Sequence, residues 1–76
     1  MSVRIPSLNP RQLTALLKRG GFEIVYQDSS HLYFRHPKTG LTTCVPVHSG
    51  DVKRNLVRKI LLKDCGLSIQ EVQRLL

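Results

Sequence analysis

Ser30-His31-Leu32-Tyr33-Phe34-Arg35 places an acid–base group, an aromatic ring and a cation on one short alternating segment. Histidine takes and gives a proton near neutrality, since its ordinary pKa is about 6.5. Twelve lysines and arginines against five acids give a formal charge of +7, which suits a polyanionic partner. RNA carries its own nucleophile. A base that deprotonates the 2′-hydroxyl lets that oxygen attack the adjacent phosphorus, leaving a 2′,3′-cyclic phosphate and a 5′-hydroxyl end. Such chemistry asks the protein for a proton acceptor, cations for phosphate charge, and positioning. His31 is the candidate acid–base group, Arg35 and Lys53 are candidates for phosphate, and Tyr33 is a candidate for base stacking. General acid–base catalysis contributes about 10²–10⁴-fold, the scale of a modest ribonuclease.

The other histidines carry blander readings. His36, beside Pro37, suits packing or capping, and His48 closes a strand. Cys44 and Cys65 are too few for a disulfide framework and read as small buried or half-buried hydrophobes. The spacing of His31, His36, His48 and the cysteines matches no zinc pattern, so no metal or other cofactor is expected. Lys53, Arg54, Arg58 and Lys59 form a basic cluster that is either a solvated helix face or a contact for RNA or an acidic protein.

Seventy-six residues make one domain, spanning 1–76, with 1–8 expected as a loose N-terminal extension. A chain this short buries only about 60% of its unfolded surface, so chemistry belongs on an open face rather than in a deep cavity. A hydrophobic content of 41% is compatible with a two-layer core and argues against disorder. No apolar run approaches the roughly 20 residues that span a bilayer, and the N-terminus lacks the apolar stretch of a signal peptide; a cytoplasmic location without membrane contact is expected.

The elements that must position His31 read as follows. Asn9 caps a helix, with Pro10 at its first position, Gln12 closing a capping box, and Leu8 and Leu13 as staple. Leu13, Leu16 and Leu17 form its apolar stripe, and Gly20 or Gly21 ends it in a left-handed conformation. Phe22 to Gln27 reads as a strand, Asp28-Ser29-Ser30 as a turn, and His31 to His36 as a second strand. Alternation sets Leu32 and Phe34 against the helices and leaves His31, Tyr33 and Arg35 on the open face. A reversal at Lys38-Thr39-Gly40 leads into a third strand, Leu41 to Val47, with Leu41, Thr43 and Val45 inward. Pro46 belongs at its end or on an edge. A basic loop covers Ser49 to Arg54, and Asn55 is the expected cap of a helix carrying Val57, Ile60 and Leu61. Gly66-Leu67 reads as its stop. Ser68 and Glu71 form a second capping box, with Leu67 and Val72 as staple, for a short terminal helix. The fold class is α+β, a two-layer domain in which helices cover one face of a three-stranded antiparallel sheet, in the order α-β-β-β-α plus a short terminal helix.

Ser30-His31, the aromatic strand Tyr33-Phe34, His36-Pro37, Val45-Pro46-Val47-His48 and the closing Gly66-Leu67-Ser68 occur in an order that resembles the HicA (YcfA-like) family of toxins. The resemblance covers about residues 9 to 76. It implies a double-stranded-RNA-binding-domain-like fold and a type II toxin–antitoxin module in which the toxin cleaves mRNA and inhibits translation. It implies that His31 is the catalytic histidine, that Ser30 orients a phosphate or the imidazole, and that a HicB-type antitoxin with an acidic surface covers the His31 face. Ser29 stands where the family usually has glycine, and Asn55-Leu56 where it usually has Gly-Thr. If the first position needs positive φ, Ser29 strains the turn.

Two other readings compete. A small RNA-binding module would keep the fold and the contacts of Ser30, Tyr33, Arg35, Lys53, Arg54 and Arg58 without catalysis. A helix-turn-helix over 55–76 would bind DNA directly, but its second helix is short and its apolar positions Val72, Leu75 and Leu76 read as buried, which disfavours it.

Overall fold

The computed structural model describes residues 5–47 and 50–76. The first helix, α1 (Pro10–Arg19), begins with reciprocal capping: Asn9 Oδ1 accepts the Gln12 N–H at 2.7 Å, and Gln12 Oε1 accepts the Asn9 N–H at 3.0 Å. These bonds satisfy two groups at the helix start that have no partner within the helix. Leu13, Leu16 and Leu17 are buried along one stripe. Gly20 caps the helix at φ −79°, and the left-handed residue is Gly21 at φ +95°. The reversal turns the chain into β1 (Glu23–Gln27).

Strand β1 pairs with β2 (His31–Arg35), and β2 with β3 (Thr42–Pro46), all antiparallel, so the His31 strand is central. Across β2 and β3 the register is regular, from His31 opposite Pro46 to Arg35 opposite Thr42. On the other side it shifts between Ile24 and Tyr26, a bulge that leaves Val25 as the extra residue. Phe34 and Val45 are fully buried and belong to one core with Leu13, Leu16, Leu17, Val57, Ile60 and Leu61 of the helices. Burying a side chain such as Phe34 is worth about 1.5–3 kcal/mol. The helices therefore cover the Phe34 face and leave the His31 face open, the expected α+β arrangement and one consistent with a double-stranded-RNA-binding-domain-like fold.

The second helix, α2 (Arg54–Arg58), runs on as a π-helical stretch, Lys59–Asp64, in which the Cys65 N–H reaches back to the Ile60 carbonyl. The widened turn lines up residues five apart, and Lys59 Nζ meets Asp64 Oδ2 at 3.3 Å. Asp64 Oδ2 also accepts the Thr43 hydroxyl at 3.0 Å, which ties this helix to β3 and satisfies a buried polar side chain. Gly66, at φ +68°, ends the stretch, with the Leu67 N–H on the Leu61 carbonyl. Ser68 and Glu71 form the expected capping box of α3 (Ile69–Leu75), whose Val72 is buried while Gln70, Gln73 and Arg74 are exposed.

Several expectations need correction. Of the expected loose extension 1–8, residues 1–4 lie outside the described residues, while Ile5 to Leu8 is docked: Ile5 and Leu8 are buried, and Leu8 exchanges backbone hydrogen bonds with Val52, drawing that residue of the expected basic loop into the core. That bridge sets the entry to α2, so Lys53 occupies the cap position without a side-chain bond, and Asn55 lies inside the helix. The third strand is shorter than Leu41–Val47, and Leu41 is exposed. Cys44 is exposed as well, because alternation sends Thr43 and Val45 inward and Thr42 and Cys44 outward. His48 lies outside the described residues.

Candidate active site on the open sheet face

Asp28 organises the site. Its Oδ1 accepts the backbone N–H groups of Ser30 at 2.8 Å and His31 at 2.7 Å, and its Oδ2 accepts the Tyr33 hydroxyl at 3.2 Å. A short acidic side chain folded back on the amides two and three residues on is how aspartate builds a turn. The Ser30 N–H, and next the His31 N–H, hold the Asp28 carboxyl below its usual value, so it is ionised at neutrality. Partial burial, and next the Asp28 charge, push the Tyr33 phenol up, so it keeps its proton and donates.

The His31 ring stands over this carboxylate with its side chain 41% exposed, and Nδ1 lies 3.9 Å from Asp28 Oδ1. That distance is too long for a hydrogen bond and close enough for an ion pair when the imidazole is protonated. An imidazole that has just taken a proton from a substrate would thus find a fixed negative charge beside it. The Ser30 carbonyl accepts the Val47 N–H at 2.8 Å, which secures the other side of the His31 backbone to the end of β3. Ser29 has no positive φ, so glycine is not required there by backbone conformation.

Three rings follow one another across the open face. His31 and Tyr33 have centroids 6.1 Å apart, and Tyr33 and Tyr26 5.5 Å. Tyr26 is the cross-strand partner of Tyr33, and Cys44 flanks Tyr33 on the opposite side. Arg35 is exposed on the same face, four residues from His31 and so about 13 Å along the strand at about 3.3 Å per residue.

The structure brings Ser30, His31 and Tyr33 together, leaves Arg35 on the same face at the far end of the strand, and sets the other candidates apart. Lys53, Arg54 and Arg58 are exposed, but they belong to the helical layer on the other side of the sheet. His36 has the packing and capping role expected: its Nδ1 accepts the Lys38 N–H at 3.1 Å, and its ring meets Phe22 edge-on with centroids 5.1 Å apart. Among the described residues no three histidine, cysteine or acidic side chains gather as a metal site, and no helix is long and apolar enough to cross a membrane. Sequence reading missed Asp28 and Tyr26 as members of the site. An aspartate three residues before His31, in Asp-Ser-Ser, was a usable signal for the first; the second depends on the bulge.

No curated protein and no solved structure matches the chain. Residues 10–67 match the family described as "HicA toxin of bacterial toxin-antitoxin", and the match takes in α1, the whole sheet with the His31 face, and α2 with its π-helical continuation. More than half of the chain is covered, with the Ser30-His31 turn near the middle, and the chain therefore belongs to the HicA toxin family.

Proposed function

We propose that the chain is a metal-independent endoribonuclease toxin that cleaves mRNA with His31 as its acid–base group. The carrying observation is the position of His31: half-buried on the open face with its ring reachable from solvent, its backbone tied to Asp28, and the Asp28 carboxylate beside its ring. In the reaction, an imidazole nitrogen takes the proton of a 2′-hydroxyl and the 2′-oxygen forms a bond to phosphorus. The bond from phosphorus to the 5′-oxygen breaks, and that oxygen takes a proton from water at the open face. The products are a 2′,3′-cyclic phosphate and a 5′-hydroxyl. Asp28 stabilises the imidazolium and holds the ring's backbone in place, while Arg35 binds a phosphate farther along the RNA. Ser30, exposed in the turn, is within reach of the same strand of RNA.

Lys53, Arg54 and Arg58 add long-range attraction for RNA rather than contacts at the cleaved bond. In the cell, a HicB-type antitoxin with an acidic surface would cover the His31 face, its approach speeded by the net positive charge of the whole chain. A single-stranded RNA with one deoxynucleotide at the cleaved position tests the chemistry. Cleavage should cease at that bond alone, because its nucleophile is missing. Continued cleavage there would overturn the mechanism.

A further inference from the structure

The bulge in β1 has a specific consequence for the open face. Ile24 is the cross-strand partner of Phe34, which points into the core, so plain alternation would send Tyr26 inward as well. Because Val25 is extra, Tyr26 instead pairs with the outward Tyr33. The result is a large ring, 62% exposed, held 5.5 Å from Tyr33, whose own hydroxyl is tethered to Asp28. Tyr33 in turn lies beside His31.

From this arrangement we infer that Tyr26 and Tyr33 form a stacking subsite for an unpaired RNA base next to the nucleotide cleaved at His31. The inference rests on the proposed ribonuclease reading and adds to it a binding site and a substrate form. Two tilted rings on a sheet surface offer apolar area to the face of a base, which a base buried in a duplex stack cannot present. The charge on the molecule and the Arg35 guanidinium on the same face select a nucleic acid over an apolar peptide as occupant. Glu23 lies opposite Arg35 at the far end of the sheet, so the attraction for phosphate there is partly offset and the rings carry more of the local binding.

The test uses the His31→Ala protein, so that RNA survives, and fluorescence anisotropy of a labelled unstructured octanucleotide. Adding Tyr26→Leu, which keeps apolar bulk without the ring, should weaken binding by roughly 5- to 150-fold, the usual effect of losing one stacked base. Tyr26→Phe should recover most of that loss. An octanucleotide of abasic residues should bind the parent and the Leu variant alike, and a blunt duplex should show no dependence on Tyr26. Equal octanucleotide binding by the parent and the Leu variant would overturn the inference and assign the rings to another partner. A parent that binds no single-stranded RNA would overturn it too. Should the parent bind in a Tyr26-dependent manner while wild type cleaves nothing, the subsite stands and the ribonuclease reading falls.

Discussion

Replacing Gly21 by alanine should destabilise the domain by an amount that can be built from its surroundings. At φ +95° an L-residue is strained by about 1–2 kcal/mol. The added Cβ would lie 2.8 Å from His36 Nε2, so the imidazole must move. Its Nδ1 accepts the Lys38 N–H, and displacing the ring sacrifices a hydrogen bond worth about 1 kcal/mol. Stiffening of the unfolded chain offsets about 0.5–1 kcal/mol. The net loss is about 2 kcal/mol, which for a domain of this size lowers Tm by roughly 8–16 °C. Circular dichroism melts of Gly21→Ala, His36→Ala and the double variant separate the parts. With the imidazole gone only the backbone strain remains, so the two substitutions should be less than additive by about 1 kcal/mol. A Gly21→Ala protein melting within about 3 °C of wild type would refute the reasoning, as would full additivity. The same series tests whether His36 is structural, since His36→Ala should still cleave RNA wherever it remains folded.

Other consequences follow from the charges and thiols. Asp28 and Glu71 both have carboxyls held below their usual values, Asp28 chiefly by the Ser30 N–H and Glu71 chiefly by the Ser68 N–H. Their contribution is complete above the ordinary carboxylate range and is lost as pH falls through the lowered values; Asp28→Asn with Glu71→Gln should therefore flatten the acid side of a Tm-against-pH curve, and an unchanged slope would contradict this. Cys44, exposed, should react with a thiol reagent in the native protein, whereas Cys65, pushed up to about 12 by burial and secondarily by the Asp64 charge, should react only on unfolding; equal rates would argue against the placement of β3. If Arg54 and Arg58 attract RNA, Arg58→Gln should reduce the salt dependence of single-strand binding by about 0.7 in the log–log slope. Lys59→Gln should change it less, because Asp64 already pairs with Lys59, and the reverse order would reject the assignment.

What could be read from the chain in advance was mostly local. Both capping boxes are three-residue relations, and each formed as expected because few competing partners lie so close in sequence. The outward set His31, Tyr33 and Arg35 was legible for the same reason, since alternation needs only the strand itself. Contacts made at a distance were not legible. Leu8 and Val52 meet through tertiary packing, and that meeting started α2 at Arg54 instead of allowing Asn55 to cap it. The register shift at Val25 carries no glycine or proline to announce it, so Tyr26 could not be placed beside Tyr33. The π-helical stretch was equally silent, as Val57, Ile60 and Leu61 fit ordinary helical spacing, and the Lys59–Asp64 pair became visible only with the widened turn. On the candidate face, the outward position of His31 was legible and the Asp28 contact was not: Asp28 had the right residue type for a turn, but its grip on Tyr33 depends on the strand that follows.

The most direct measurement incubates wild type and His31→Ala with a single-stranded RNA in the presence of EDTA and determines the new ends. The account predicts that wild type alone yields 2′,3′-cyclic phosphate and 5′-hydroxyl ends, while the variant still binds the RNA and melts at a similar temperature. Equal behaviour of the two proteins, whether both cleave or neither does, would contradict the central role given to His31.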